Sequence, residues 1–307
     1  AVLENIYNEL KDKVEWHFNT HINSVEKLSD GFKVECKKGE FTCKDCIISV
    51  GRSGSKWMEG ICDHLGIVTH SNRVDIGVRV ELPAVVFSHL TDELYESKIV
   101  YRTEKFEDKV RTFCMNPKGA VVNENTNGIV TVNGHSYEDS AKQTNNTNFA
   151  LLVSKNFTKP FKEPIQYGKH IAQLSNMLCD GKILVQRFGD FVRGRRTTEE
   201  RLVRNNITPT LKDAVPGDLS LVFPYRIMKD IEEMIYALDE VTPGMASDET
   251  LLYGVEVKFY SNKILTNKDF ETNIKGLRAI GDGASVTRGL QQASANGLSV
   301  AKSILNK

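Results

Sequence analysis

The chain has 307 residues, of which 40 are lysine or arginine and 40 are aspartate or glutamate, so its formal net charge is zero. Proteins held on nucleic acid or anionic membranes mainly by charge need a basic surplus, so this balance argues against both kinds of partner. With 40% hydrophobic residues, 26% charged residues and no bilayer-length apolar run, the composition is that of a soluble globular protein of one or two domains.

Two features of the whole chain concern its context. It begins at Ala1 inside an apparent helix, without an initiator methionine or a signal peptide, so we expect a piece of a longer protein. The cysteines are scattered through a chain too long to need disulfide staples, which favours a reducing, cytoplasmic environment. They are Cys36, Cys43, Cys46, Cys62, Cys114 and Cys179.

The first stretch predicts a β-meander followed by a buried strand. Hydrophobic and polar residues alternate at 14–18, 32–36 and 41–43, with turn-forming residues before the second and third segments. Such alternation indicates three antiparallel strands. Residues 46–50 are apolar without alternation, as in a strand covered on both faces, and this strand ends at Gly51.

The middle stretch, up to residue 255, mixes strands and helices. Strands are predicted at 74–80 and 149–153, and helices at 164–179 and 197–205. A further helix begins at Pro224.

Two local patterns support these helices. Thr197 and Glu200 have the spacing of a capping box at the start of the helix at 197–205. The helix after Pro224 has an apolar face at helical spacing. That face consists of Ile227, Ile231, Met234 and Leu238.

The last stretch predicts two strands, a glycine-rich turn and a helix. Residues 255–259 alternate, and residues 277–280 form a short apolar strand that ends at Gly281-Asp282-Gly283. Small residues along one stripe let the following helix lie close to a sheet or a ligand. The stripe consists of Leu290, Ala293, Gly297, Ala301 and Ile304.

The spacing around Asp282 is the strongest chemical signal. Thr272 is followed by six residues, the apolar pair 279–280 and then Gly281-Asp282. Ligands of open α/β sheets bind at the carboxyl ends of strands, and glycine lets the backbone approach a ligand closely. A carboxylate accepts hydrogen bonds from ligand hydroxyls, while a helix N-terminus offers free N–H groups. We therefore predict a cofactor-binding turn, the alternative being a plain strand-to-helix turn.

This pattern resembles the second FAD fingerprint of the two-dinucleotide-binding-domain flavoproteins. The meander, apolar strand and glycine at 51 resemble another part of the same fold. More narrowly, four segments are similar to the bacterial FAD-dependent dehydrogenases, also called NAD(FAD)-utilising dehydrogenases. They are 75–81, 111–115, 252–260 and 281–290.

The resemblance implies FAD-dependent oxidoreduction, with hydride passing between flavin N5 and a small-molecule substrate or NAD(P)H. In the flavoproteins with this fingerprint, the acidic residue of the turn binds ribityl hydroxyls and the following helix points at the flavin pyrimidine. The cofactor-binding residues implied in this chain are Gly51, Gly281, Asp282, Gly283, Thr287, Arg288, Gly289, Leu290 and Gln291.

Two departures from the family pattern matter. The G-x-G-x-x-G turn that holds the FAD pyrophosphate does not occur in these 307 residues. Family members carry it near their N-terminus, upstream of where this chain begins, so we expect an incomplete FAD-binding domain. In addition, Asn116 stands where the family often has a second cysteine near Cys114, which argues against a redox pair of cysteines.

Arg288, Lys258 and Cys114 are the candidate catalytic residues, and no general acid or base is assigned. Arg288 beside the flavin would stabilise negative charge at the N1/C2=O region, its alternative being an ordinary surface arginine. Lys258 and Tyr260 alternate with apolar neighbours and so share a polar face. Cys114 is either a thiol near the flavin or a packed residue.

Two other patterns have simpler explanations. Cys43 and Cys46, with histidines at 17 and 21, imitate metal-ligand spacing, but buried apolar cysteines account for them better and we predict no metal site. A basic cluster suits a flavoprotein that modifies tRNA, although surface charge is the commoner explanation. The cluster consists of Lys182, Arg187, Arg193, Arg195 and Arg196.

We therefore expect an α/β protein, more narrowly of mixed α+β class. Residues 1–69 and 256–307 would form a partial Rossmann-like FAD-binding domain, interrupted by a β-rich and helical substrate or cap domain at 70–255. The alternatives are a non-catalytic substrate-domain module that binds no FAD, and a tRNA-modifying flavoprotein. The sequence leaves the substrate, the choice between NADH and NADPH, and the oligomeric state open.

Overall fold

The protein is described from a computed structural model, which covers residues 2–70, 72–126, 128–161, 163–258, 260, 262–287 and 289–305, and of Arg52 only the backbone. The chain divides into two compact units. The first unit combines residues 1–70 with 261–307, and the second comprises residues 71–260. The prediction of a mixed α+β fold is confirmed.

The elements are numbered in chain order. The helices are α1 (Val2–Leu10), α2 (Ser55–Leu65), α3 (Ala84–Thr91), α4 (Pro164–Leu178), α5 (Phe188–Val192), α6 (Glu199–Val203), α7 (Tyr225–Val241) and α8 (Leu290–Leu305). The strands are β1 (Ile22–Lys27), β2 (Phe32–Cys36), β3 (Gly39–Cys43), β4 (Cys46–Ile48), β5 (Thr69–His70), β6 (Val74–Pro83), β7 (Val100–Arg102), β8 (Lys109–Asn116), β9 (Ala120–Thr126), β10 (Ile129–His135), β11 (Asn146–Lys155), β12 (Leu184–Arg187), β13 (Val215–Pro216), β14 (Leu251–Lys258), β15 (Lys263–Ile264) and β16 (Leu277–Ala279).

The first unit contains the meander and the buried strand. β1, β2 and β3 form an antiparallel sheet in that order, β5 pairs with β15, and β4 pairs in parallel with β16. Its core includes the buried side chains of Phe32, Ile48, Met58 and Leu277. The parallel pair matters most, because both of its strands end at the same edge.

The first strand of the meander lies later in the chain than predicted. Residues 14–18 are not a strand, and the exposed rings of Trp16 and Phe18 stack with centroids 5.5 Å apart. The partner of β2 is β1, joined through a tight turn in which Gly31 has φ +101°. A tight hairpin pairs the residues immediately before its turn, so the alternation further upstream finds no partner strand.

The second unit is built on a seven-stranded sheet with the order β13-β12-β14-β6-β11-β8-β7. All neighbouring strands are antiparallel except β12 and β13 at one edge. The predicted boundary at residues 255 and 256 falls inside β14, and the whole strand belongs to this sheet. The hairpin of β9 and β10 forms a separate two-stranded sheet.

The central strand β6 presents different residues on its two sides. Val74, Ile76 and Val78 belong to a core that also contains the predicted apolar face of α7, and that face is fully buried. Asp75, Arg79 and Glu81 alternate with these residues and are also fully buried. Alternate strand residues point to opposite faces, so one face of the sheet is apolar and the other carries buried charge.

The predicted helix at 197–205 is shorter and begins two residues later, at Glu199. The hydroxyl of Thr198, not that of Thr197, caps α6 by accepting a hydrogen bond from the backbone N–H of Arg201. Thr197 is fully buried, and its hydroxyl donates to Asp190 at 2.8 Å. The capping-box pattern therefore located the helix but predicted the wrong cap, because the hydroxyl of Thr197 is hydrogen-bonded to the buried carboxylate of Asp190.

Two further findings concern the whole chain. Within the part of the chain that the structure describes, no helix is both long and apolar enough to cross a membrane. All six cysteines carry free thiols.

Candidate functional site

The turn at residues 281–283 follows the parallel strand pair of the first unit. β16 pairs with β4 in register from Leu277 with Cys46 to Ala279 with Ile48, so the segments after the two strands leave the same edge. The N–H of Gly283 donates to the carbonyl of Val50 at 3.0 Å. A Cβ at position 283 would lie 2.2 Å from that carbonyl oxygen, so only glycine fits there without a shift.

Two side chains hold this turn. Gly281 has φ +77°, a conformation that favours glycine, and its N–H donates to Oδ1 of Asn296 on α8 at 3.1 Å. The hydroxyl of Thr287 donates to Oδ1 of Asp282 at 2.7 Å. Asp282 is partly exposed, and no described residue donates a hydrogen bond to its second carboxylate oxygen. A carboxylate at this edge is an acceptor that suits ligand hydroxyl groups.

The edge is also open. A Cβ placed on Gly51, Gly281 or Gly289 would meet nothing within 4 Å in the first unit or elsewhere in the described chain. Free space beside the backbone, a carboxylate acceptor and a helix that begins at Leu290 suit a polyhydroxyl chain attached to an electron-rich ring. The described residues therefore fit the flavin and ribityl part of FAD.

The structure brings most of the predicted cofactor residues together. Gly281, Asp282, Gly283 and Thr287 form the turn, Gly51 follows the neighbouring strand, and positions 289–291 lead into α8. Arg288, a candidate for both cofactor contact and catalysis, lies outside the described residues.

The predicted stripe on α8 is only partly right. Leu290 is 89% exposed, Ala301 is exposed, and the buried residues of the helix are Asn296 and Val300. Asn296 was missed because an asparagine breaks an apolar pattern, yet its amide holds Gly281. Only its contact with Gly281 in the folded structure identifies it.

The charged face of the second unit is organised around Arg79. Its guanidinium is fully buried and makes five hydrogen bonds, including a bidentate pair to Glu256 at 2.8 and 3.1 Å. The other acceptors are the carbonyl of Cys114 and the side chains of Asn133 and Asn148. Because these partners lie on β8, β10, β11 and β14, Arg79 joins five strands and has no donor left for a ligand.

A second cluster on the same face surrounds Asp75, which is also fully buried. Its carboxylate accepts hydrogen bonds from Ser154, Arg111 and Tyr260. Burial alone raises the pKa of Asp75, but these three donors outweigh it and hold the pKa below its ordinary value. Asp75 is therefore a permanent carboxylate that balances Arg111.

Lys258 and Cys114, two of the candidate catalytic residues, lie near each other on this face. The Lys258 ammonium pairs with Oε1 of Glu256 at 3.0 Å and lies 5.9 Å from the centre of the Phe113 ring. Burial raises the pKa of the Cys114 thiol, an effect that the charges of Lys258 and Arg79 oppose without cancelling. Cys114 is therefore a neutral thiol at physiological pH, which makes it a poor nucleophile.

The backbone of Cys114 is unusual for a cysteine. It has φ +46° at a bulge in β8, where the pairing with β11 skips a residue. Its N–H donates to Glu96 at 3.2 Å, and its carbonyl accepts from Arg79 and Asn116. Asn116 thus stabilises the bulge.

Cys43 and Cys46 have the environment of packed residues. Burial, followed by the neighbouring Cys43, raises the pKa of Cys46 to about 12. Among the described residues, no group of histidine, cysteine and acidic side chains has the arrangement of a metal site.

Three members of the basic cluster, Arg187, Arg193 and Arg195, are held in ion pairs. Arg195 donates to the buried carboxylate of Asp190 at 2.7 Å, and Arg193 pairs with Asp248 at 2.8 Å. Arg187 lies 3.9 Å from Asp190. These guanidinium groups order the loop after α5, so their clustering has a structural explanation.

Comparison with known families places the chain among the FAD-dependent proteins. The family described as FAD-dependent protein, C-terminal domain-like, matches residues 74–259, which is more than half of the chain. The chain therefore belongs to this family. The matched residues are nearly those of the second unit.

Several individual proteins are also similar. An uncharacterized protein of Clostridium beijerinckii is 26% identical over 328 aligned residues, which cover the whole chain and 60% of that relative. The chain thus spans about 60% of the length of this curated relative.

Several solved structures are similar at lower identity. A putative FAD-containing monooxygenase from Photorhabdus luminescens has a TM-score of 0.34 and 12% identity, covering 97% of this chain and 60% of that one. CtdE in complex with FAD has a TM-score of 0.30 and 10% identity, covering 98% and 58%. FqzB has a TM-score of 0.30 and 11% identity, covering 97% and 50%. Similarity this low carries no information on activity.

Proposed function

We propose that the protein is an FAD-dependent oxidoreductase of the dehydrogenase type, whose first unit binds the flavin end of FAD at the 281–283 turn. The observation that carries the proposal is the parallel pair of β4 and β16, with Gly283 held to Val50 and open space at Gly51 and Gly281. Membership of an FAD-dependent family supports the choice of cofactor.

The residues of the turn have separate roles in this proposal. Asp282 accepts hydrogen bonds from the ribityl hydroxyls, and Thr287 fixes the orientation of its carboxylate. Asn296 keeps the Gly281 backbone in place, and the glycine, which has no side chain, leaves the space beside this backbone open for the flavin ring. The first N–H groups of α8 would hold the electron-rich part of the ring.

Bound FAD supplies hydride transfer at flavin N5, with a small-molecule substrate or NAD(P)H as the other partner. The second unit contributes the substrate-recognition residues. We do not assign an RNA substrate, because Arg187, Arg193 and Arg195 are engaged by carboxylates.

Flavin titration of the wild type and two variants tests the proposal. FAD is added to the wild-type chain, to Asp282→Ala and to Asp63→Ala, and binding is followed by the quenching of flavin fluorescence. Asp63 is a matched control, since it is an exposed aspartate of the same unit on α2. We expect the wild type and Asp63→Ala to bind FAD equally, and Asp282→Ala to bind about tenfold to a hundredfold more weakly, as for one or two lost charge-assisted hydrogen bonds.

Two results would overturn the proposal. If the wild-type chain leaves flavin fluorescence unchanged, it does not bind FAD, and the non-catalytic module is the better description. If Asp282→Ala binds as well as the wild type, the turn is not the flavin site.

A further inference from the structure

The charged face of the second unit has more positive than negative charge. Among the described residues of this face, four cations lie in contact with two carboxylates. The cations are Arg73, Arg79, Arg111 and Lys258, and the carboxylates are Asp75 and Glu256. Glu96, which lies further along this face, is paired with Lys98 at 3.9 Å. Glu81, the third buried carboxylate of this face, accepts hydrogen bonds from Asn146, Thr210 and Tyr253 and has no cationic partner among the described residues. The face therefore carries an excess of one positive charge.

This excess lies in a poorly hydrated environment. The side chains of Lys258 and Arg111 are only 16% and 15% exposed, and both carboxylates are fully buried. Charges removed from water are costly unless they are paired and hydrogen-bonded. An anion that entered this face would offset that cost.

The carboxylates present are already saturated, whereas two of the cations are not. Glu256 accepts hydrogen bonds from Arg79 on both oxygens and forms an ion pair with Lys258, and Asp75 accepts hydrogen bonds on both oxygens. The Lys258 ammonium has three donors but, among the described residues, a single partner at 3.0 Å. The Nε of Arg111 is buried without a hydrogen-bond partner.

An aromatic ring lies beside the charge. Phe113 packs 4.8 Å from the guanidinium carbon of Arg111 and 5.9 Å from the nitrogen of Lys258. The register places Lys258 directly opposite Asp75 on the neighbouring strand, so both point to the same side of the sheet. A small molecule with an oxyanion next to a flat apolar group matches the charge and the ring of these surroundings.

We propose that this face binds the oxyanion, a carboxylate or a phosphate group, of a small-molecule substrate, with Lys258 as its direct ligand. Arg111 adds attraction, and Arg79 with Glu256 fixes the position of the ammonium. That the anion is part of the substrate rests on the proposed function, but its binding does not require flavin.

Anion-induced stabilisation tests the site in protein without added FAD. Melting temperatures are measured at low ionic strength with benzoate, with inorganic phosphate and without either, for the wild type, Lys258→Met and Lys229→Met. Lys229 is a matched control, because it also pairs with a glutamate at 3.0 Å but lies on α7. At about 100 times the dissociation constant we expect a rise of about 5–10 °C in the wild type and the control, and none in Lys258→Met.

The two probes distinguish the sources of the oxyanion. A rise with benzoate alone indicates a carboxylate, and a rise with phosphate alone indicates a phosphate monoester. If neither anion stabilises the wild type, or if Lys258→Met responds as the wild type does, the proposal is wrong. A normal anion response in a chain that fails to bind FAD would refute the flavin proposal and leave this site standing.

A second measurement on the wild-type chain covers the case in which Lys258→Met does not fold. Lysines are acetylated with acetic anhydride, with and without the stabilising anion, and are quantified by mass spectrometry. We expect the anion to slow acetylation of Lys258 severalfold while leaving Lys229 unchanged. Equal labelling of Lys258 in both samples would overturn the proposal.

Discussion

A carboxyl pair between α7 and the segment before β8 makes the stability of the second unit depend on pH in a specific way. Asp230 is fully buried and accepts a hydrogen bond from Thr103 at 2.9 Å. Lys155 contacts both Asp230 and Asp108, and Arg226 donates to Asp108 at 2.6 Å. Burial first, and then the neighbouring Asp108, raise the pKa of Asp230 from 3.8 to about 6.

The direction in which stability changes with pH follows from proton linkage. The folded state holds the proton of Asp230 more tightly than the unfolded chain does, so its contribution to stability is complete below about pH 4 and is lost as pH rises through about 6. A shift of about two units corresponds to about 3 kcal/mol. Asp108 acts in the opposite direction, because Arg226, Lys155 and Asp230 lower its pKa to about 2 in spite of burial. Its contribution is present above about pH 4 and is lost below that range.

Asp230→Asn removes the pH-dependent contribution of Asp230 to stability and keeps that of Asp108. The amide keeps an acceptor for Thr103 and gains a donor for Asp108, so we expect the variant to lack the loss of stability between pH 4 and 7. Relative to the wild type, its free energy of unfolding should therefore rise across this range by about 2–3 kcal/mol. Urea denaturation at several pH values measures this difference, with Glu240→Gln, an exposed site on the same helix, as the control. A difference between Asp230→Asn and the wild type that does not change with pH would refute the reasoning.

Two other substitutions have defined outcomes. Gly283→Ala places a Cβ 2.2 Å from the carbonyl oxygen of Val50, and we expect the first unit to lose about 1–3 kcal/mol of stability. Gly297→Ala, a control with open space around the new methyl group, should cost no stability. Thermal unfolding compares the two variants, and equal melting temperatures would contradict the steric argument. Arg79→Met leaves Glu256 buried with Lys258 as its remaining charged partner, and we expect the free energy of unfolding, measured in denaturant, to fall by about 3–5 kcal/mol. The double variant Arg79→Met, Glu256→Met should recover much of this loss. If the double variant is no more stable than the single one, the arginine stabilises the sheet by packing rather than by pairing.

Much of the turn at residues 281–283 was predictable from the sequence because its determinants are local. The apolar run of β4, the short strand before Gly281 and the glycines of the turn all follow from the residue types at consecutive positions. The position of β1 could not be read in this way. Alternation at residues 14–18 satisfies the strand pattern, but pairing depends on the turn at Gly31, and the turn selects the residues next to it.

The sequence by itself determined the class of fold, the apolar face of α7 and the turn around Asp282, since each depends on periodicity or spacing within a few residues. Only the tertiary structure decided which charges share the face of the large sheet. Arg79 and Glu256 are 177 residues apart in the chain and meet because β6 and β14 are neighbours. Lys258 and Phe113 lie on strands that are not adjacent, and only the strand order brings them close. Strand order and register are set by the packing of the whole sheet, and so this candidate site has no signature in any one segment.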